Sequence, residues 1–232
     1  MESRIRFLTM NTGMRSDLAG LLAIICDHKP DVVFLQEIRL SDEELDCKLM
    51  KIGYKGKVNK AEDDSKPGIA IVWRQTLQIT EVLNIVEGRA QLAILGDYCL
   101  MNLYAPSGSN LRYERNLFFG QDIFGALNLY PRASWVIAGD FNCLVDPKDV
   151  ENGIGFSQKH CPSLSSLIRV KDLVDIFRTI YPSKAEFTFF RPHVAPSRLD
   201  RIYLSSDLKQ MFLHVSILLL WLIIVECLWG SP

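Results

Sequence analysis

Trp135-Val136-Ile137-Ala138 runs straight into Gly139-Asp140-Phe141-Asn142. The apolar part reads as a short buried strand, because β-branched and aromatic residues pack well on a pleated surface. Gly139 lets the backbone turn or be approached closely where the strand ends. Asp140 and Asn142 are two apart, so in extended chain they point to the same side. A buried strand that delivers a carboxylate and an amide to one point is either a catalytic edge or a plain Asp/Asn turn, which is common. What decides between them is how many other strands end in the same way.

The chain opens with a strand pattern over residues 5–10 that stops at Asn11. Ser16-Asp17 offers an N-cap, and Leu18, Leu21, Leu22 and Ile25 fall on one helical face. The helix must end before Pro30. Residues 31–37 have a continuous apolar centre, which predicts a strand buried on both faces and a βαβ-like start. Ser41 with Glu44 forms a capping box for a short helix reaching about Met50. Strand-like runs at 54–58, 69–73, 77–86, 91–95 and 98–104 make a meander of hairpins, interrupted by a polar loop over 60–67. Residues 110–130 are helical, with Leu111, Phe118, Ile123 and Leu127 on the apolar face. Residues 146–158 are turn-rich, 163–170 form another helix, and 173–177, 187–190 and 199–204 are further apolar runs. Strands and helices interleave to the end, so one α/β domain with packed sheets is the simplest architecture.

The strand ends collect Asn11, Glu37, Tyr104, Asp140, Asn142 and Asp200. One sheet edge gathering them would hold carboxylates, amides and a phenol. Hard oxygen donors of this kind suit Mg²⁺ or Mn²⁺, and the chemistry implied is metal-assisted hydrolysis of a phosphoester. Rival chemistries lack their residues. The four histidines (His28, His160, His193 and His214) follow no strand nucleophile, and no Gly-x-x-x-x-Gly-Lys is present. The six cysteines form no CxxC pair and suit no zinc site. They read as reduced thiols, which predicts a reducing compartment, nucleus or cytoplasm. The formal net charge of −1 gives no global footprint for nucleic acid, so such a partner must be held locally. Arg191, His193, Arg198 and Arg201 form the local basic cluster expected to meet DNA phosphates. No small organic cofactor and no membrane is expected.

Met10-Asn11, Leu35-Gln36-Glu37, Asn102-Leu103-Tyr104-Ala105-Pro106, Gly139-Asp140-Phe141-Asn142 and Ser197-Arg198-Leu199-Asp200-Arg201-Ile202 occur in the order of the endonuclease/exonuclease/phosphatase family. Within it the chain resembles the apurinic/apyrimidinic-type endonuclease domain of non-LTR retrotransposons, which Phe187-Thr188-Phe189-Phe190 also fits. The resemblance implies a four-layer α/β sandwich, two packed mixed β-sheets flanked by helices, with the site at one edge. It implies Glu37 as the main metal ligand with Asn11 beside it. Asp140 would align or activate the attacking water, Asn142 would donate to the phosphate, and Tyr104 would contact it. Asp200 would hold a partner histidine or a second ion. The substrate would be a DNA phosphodiester, nicked to leave a 3′-hydroxyl.

The pattern breaks near the C-terminus. The family carries a Ser-Asp-His on a loop before its last strand. Here no Asp follows Asp207, and the only later histidine is His214, which reads as a strand residue. Trp221 and Leu222 stand where the Asp and His belong. Residues 4–216 therefore read as the family domain and 217–232 as an altered apolar tail. Its nine-residue apolar run, 217–225, is shorter than the ~20 residues that span a bilayer and reads as a core strand. Two other functions share these residues: a phosphomonoesterase or phospholipid phosphodiesterase on the same fold, and a catalytically dead DNA-binding or interaction module.

Overall fold

The computed structural model describes residues 3–13, 18–63, 65–219 and 222–229. Its strands in chain order are β1 (Ser3–Asn11), β2 (Val32–Ile38), β3 (Tyr54–Asn59), β4 (Gly68–Arg74), β5 (Glu81–Val86), β6 (Ala90–Leu95), β7 (Tyr98–Tyr104), β8 (Ser134–Asp140), β9 (Leu173–Asp175), β10 (Phe189–Arg191), β11 (Val194–Ser197), β12 (Asp200–Ser205), β13 (Phe212–Leu219) and β14 (Leu222–Trp229). Two six-stranded sheets result, ordered β13-β14-β1-β2-β4-β3 and β5-β6-β7-β8-β12-β9, with β10 and β11 as a separate hairpin. Both sheets mix parallel and antiparallel pairs.

The strand sequences dictate the layers. In β2, Val32 and Phe34 enter the core between the sheets, while Val33 and Leu35 face outward. Residues that alternate faces yet are all apolar need cover on both sides. Outside the first sheet that cover is α1 (Leu18–His28) and α2 (Asp42–Leu49), through Leu21, Ile25, Leu45 and Leu49. The capping box starts α2 as expected, Ser41 Oγ accepting from Glu44 N at 3.2 Å and Glu44 from Ser41 N at 2.8 Å. The N-cap expected at Ser16-Asp17 lies outside the described residues. The second sheet is covered by α3 (Arg112–Leu117), a π-helical turn (Phe118–Ile123), α4 (Phe124–Leu129) and, after the short α5 (Phe156–Lys159), α6 (Pro162–Val170). The order helix, sheet, sheet, helix is the four-layer sandwich.

Several elements differ from the sequence pattern. The single helix expected over 110–130 carries the π turn, whose extra residue shifts the helical phase so that the adjacent Phe118 and Phe119 are both buried. The run at 173–177 splits into β9 and α7 (Ile176–Ile180), because Asp175 caps the helix by accepting from Arg178 N at 3.1 Å. β11 is invisible in sequence because it contains Pro196, which only an edge strand tolerates. The boundary expected between residues 216 and 217 falls inside β13. Beyond it, β14 lies antiparallel to β1, and Ile223 and Val225 enter the core between the sheets. Among the described residues no helix is long and apolar enough to cross a membrane.

Buried amides tie the two sheets together near the motif strands. Asn102 in β7 accepts from Gln36 Nε2 at 2.7 Å and donates to the carbonyls of Leu35 and Ala70 at 3.0 and 2.9 Å. Gln91 Oε1 accepts from Ile71 N at 2.9 Å. A fully paired buried amide fixes register, since sliding either sheet would strand it without partners.

Candidate functional site

β1 and β2 run parallel with Asn11 opposite Gln36, so Asn11 and Glu37 leave their strands side by side. Glu37 sits at a bulge between the β2–β4 pairs of Gln36 and Ile38, with φ of +58°. A bulged residue re-aims its side chain at the cost of local backbone strain. Thr12 pins the bulge, its hydroxyl donating to the carbonyls of Gln36 and Glu37 at 3.1 and 2.9 Å. The Asn11 Oδ1 accepts from Gly13 N at 2.9 Å, which leaves its Nδ2 as the donor toward Glu37 Oε1 and Asp140 Oδ2, both at 3.0 Å.

On the second sheet, Tyr104 of β7 is in register with Asp140 of β8, and Asp140 with Asp200 of β12. Gly139 makes this possible. It has φ of +139°, and a β-carbon there would stand 2.0 Å from the Leu103 carbonyl oxygen. After it the chain turns: Asp140 Oδ1 accepts from Asn142 N at 2.9 Å, Asn142 has φ of +49°, and its Nδ2 donates to the Ala105 carbonyl at 2.9 Å. The Asp/Asn turn and the edge that gathers these side chains are thus one structure. Phe141 lies inward, stacked on Phe119 at 5.9 Å and edge-on to Tyr203 at 5.2 Å, which anchors the turn to the helical layer.

Burial sets the electrostatics. It pushes the Asp140 carboxyl up to about 6, against the opposing hydrogen bonds from Asn142 and Asn11. Burial and then the neighbouring Asp140 hold Asp200 well above the usual carboxylate range. Asp200 Oδ1 has no hydrogen-bond partner, while Thr188 Oγ1 accepts from the backbone amides of Leu199 and Asp200 at 3.0 and 3.1 Å. Burial, then the charge of Glu37, also raises the Tyr104 phenol, so it stays a protonated donor at neutral pH. Sequence reasoning missed Arg89, whose guanidinium lies 4.9 Å from the Tyr104 ring centre. Its position lies between the strand-like runs at 77–86 and 91–95, where the pattern marks no site residue.

The basic cluster is corrected by the structure. Arg191 and His193 are exposed on the β10–β11 hairpin. Arg198 and Arg201 are 1% and 0% exposed, so neither reaches a DNA phosphate. Arg198 pairs with Asp149 at 2.9 Å and Asp175 at 2.6 Å, Arg201 with Asp149 at 3.1 Å, and Arg178 with Asp149 at 2.6 Å. Arg201 also donates to the Cys143 carbonyl at 2.9 Å, bracing the chain just after Asn142. Burial pushes the Asp149 carboxyl up, but Arg201, Arg198 and the Arg178 hydrogen bond more than reverse this and hold it well below the carboxylate range.

The donor set fits a hard divalent cation. Glu37 and Asp140 share one amide, and among the described residues no ion pair reaches Glu37, Asp140 or Asp200. Also among the described residues, no three acidic, histidine or cysteine side chains are gathered closely enough to hold an ion alone. Mg²⁺ is commonly held by only one or two carboxylates, with water completing its shell. Glu37 is the carboxylate that could hold it; Asn11 faces that position with its Nδ2 and could add its oxygen only if the amide turns over, away from Gly13 N.

The match to the Endonuclease/Exonuclease/phosphatase family covers residues 8–231. The chain belongs to this family. Part of it is similar to the Transposon TX1 uncharacterized 149 kDa protein of Xenopus laevis, 36% identical over 115 residues, which are 48% of this chain but 8% of that protein. Solved structures share the whole fold. An AP endonuclease from Archaeoglobus fulgidus superposes with a TM-score of 0.81 at 19% identity, over 97% of this chain and 99% of that one. The AP endonuclease LMAP from Leishmania major gives 0.78 at 19%, over 98% and 88%. The 3′ phosphatase NExo from Neisseria, solved with a product DNA hairpin, gives 0.80 at 17%, over 97% and 100%.

Proposed function

We propose that this chain is a Mg²⁺- or Mn²⁺-dependent DNA endonuclease of retrotransposon type, which nicks a phosphodiester to leave a 3′-hydroxyl and does so weakly. The observation that carries the reading is the convergence of Glu37, Asn11 and Asp140 through one amide, with Tyr104, Asn142 and Asp200 on the same edge. Similarity to a transposon protein supports the retroelement class.

Glu37 would hold the ion, joined by the Asn11 oxygen once that amide turns from Gly13 N; the ion would supply stabilisation of charge on the phosphate. Asp140 aligns the attacking water and takes its proton, a task suited to a carboxyl lifted to about 6. Tyr104 and the second amide hydrogen of Asn142 donate to the phosphate oxygens. As water attacks phosphorus the bond to the 3′-oxygen breaks, and that oxygen must gain a proton. The weak point is here, because the family's Asp-His is missing from the sequence. Position 221 lies outside the described residues; Leu222 pairs with Met10, one residue from Asn11. The unpartnered Asp200 Oδ1 supports the same reading. Losing a charge-stabilising or acid–base group costs ~10²–10⁴ in rate.

A supercoiled-plasmid nicking assay with Mg²⁺ tests this, with Glu37→Ala and Asp140→Ala as controls. Slow nicking lost in both controls, and raised by Trp221→Asp with Leu222→His, is expected. Robust nicking by the unaltered chain removes the impairment. The unpartnered Asp200 Oδ1 also supports a second reading, a catalytically inert DNA-binding module. Salt-dependent DNA binding with no turnover in any variant identifies that module, and turnover of a soluble phosphomonoester identifies a phosphatase.

A further inference from the structure

Lys159 is half-buried, and its ammonium donates to Ser197 Oγ at 3.1 Å and lies 5.7 Å from the centre of the Phe189 ring. Among the described residues no carboxylate is within ion-pair distance of it, and burial alone shifts it, downward. A partly desolvated cation without a counter-ion is costly to hold and gains most from an incoming anion.

Its location indicates which anion. Leu144, two residues after Asn142, donates its backbone amide to the Lys159 carbonyl at 3.0 Å and accepts from Cys161 N at 3.3 Å. Ser197, three residues before Asp200, pairs with Phe189 at the base of the β10–β11 hairpin. Lys159 therefore bridges the turn that carries Asp140 and Asn142 and the hairpin that leads into Asp200. Leu144, Val150 and Leu199, with Phe156 and Phe189, form an apolar bed under this bridge. The Ser197 hydroxyl and the Phe189 ring fix the ammonium, so its charge is held between these two segments and not swept through solvent.

We infer that Lys159 is a substrate-positioning cation that binds a nucleic-acid backbone phosphate flanking the scissile one. The inference rests on the nuclease reading of the site. It also gives the chain a local cation for a polyanion in a place where Arg198 and Arg201 supply none.

The test is binding of a fluorescent DNA duplex by the full chain across a salt series, read by anisotropy. Each phosphate contact contributes about 0.9 to the slope of log affinity against log salt. Lys159→Met keeps the stem and should lower the slope by about one such contact, with unchanged thermal unfolding. Lys159→Arg should restore it. Lys55→Met, on β3 opposite Trp73 at the sheet end away from Glu37, should leave the slope unchanged. A slope in Lys159→Met equal to that of the parent chain overturns this inference and leaves the nuclease reading standing. No DNA binding by the parent chain overturns both.

Discussion

At the residue scale, charge is handled in two opposite ways a few positions apart. Asp140 and Asp200 are buried against each other and raised, whereas Asp149 is buried among three arginines and lowered. A carboxyl depressed in the folded state contributes stability above the unfolded aspartate value, ~3.9, and loses it as pH falls toward the folded value. Asp149→Asn should destabilise the chain at neutral pH by roughly 3–5 kcal/mol, since it leaves Arg201 buried without its carboxylate and Arg198 with Asp175 alone. The deficit should shrink below about pH 4, where the unfolded parent chain takes up a proton that folded Asp149 still refuses. Urea unfolding at neutral and acid pH measures both, and a deficit independent of pH would contradict the assignment. For function, Asp140→Asn keeps the shape of the Asn142 turn but cannot take a proton. Nicking should fall by ~10²–10⁴ while DNA binding holds.

At the element scale, the site depends on where strands end and on what stops them. Gly139 shows how tightly this is built. Gly139→Ala would place a methyl against the Leu103 carbonyl at a φ that L-residues avoid. Loss of cooperative unfolding, or a large fall in midpoint by circular dichroism, is the expected result. The strand ends were legible in sequence because each motif couples an apolar run to a polar residue, and Asn11, Glu37, Tyr104, Asp140 and Asp200 do meet at one edge. The arginines were misread because their acid partners, Asp149 and Asp175, are remote in the chain, so sequence shows a basic cluster and hides the network that buries it. The bulge at Glu37 and the left-handed Asn142 were equally hidden. Neither residue type demands φ > 0, and it is Thr12 and the Ala105 carbonyl that impose it.

At the scale of the whole molecule, two sheets held in register by buried amides bring carboxylates from different sheets to a common point. Glu37 belongs to the first sheet and Asp140 to the second, joined by Asn11. Without a cation these negative groups repel across the sandwich, which is a cost the fold carries for function. Two consequences of opposite sign follow. Mg²⁺ should raise the unfolding temperature of the parent chain, since a ligand that binds only the folded state stabilises it by ~2.7 kcal/mol at a hundred times Kd. Glu37→Gln keeps the size and the acceptor for Asn11 but removes one charge. It should unfold at a higher temperature than the parent chain in chelator and show little further rise with Mg²⁺. A calorimetric scan of both proteins with and without the ion separates these effects. A Glu37→Gln variant less stable in chelator would mean that its charge is a structural asset held by the Asn11 amide. An undiminished Mg²⁺ shift in that variant would move the ion away from the junction of the two sheets.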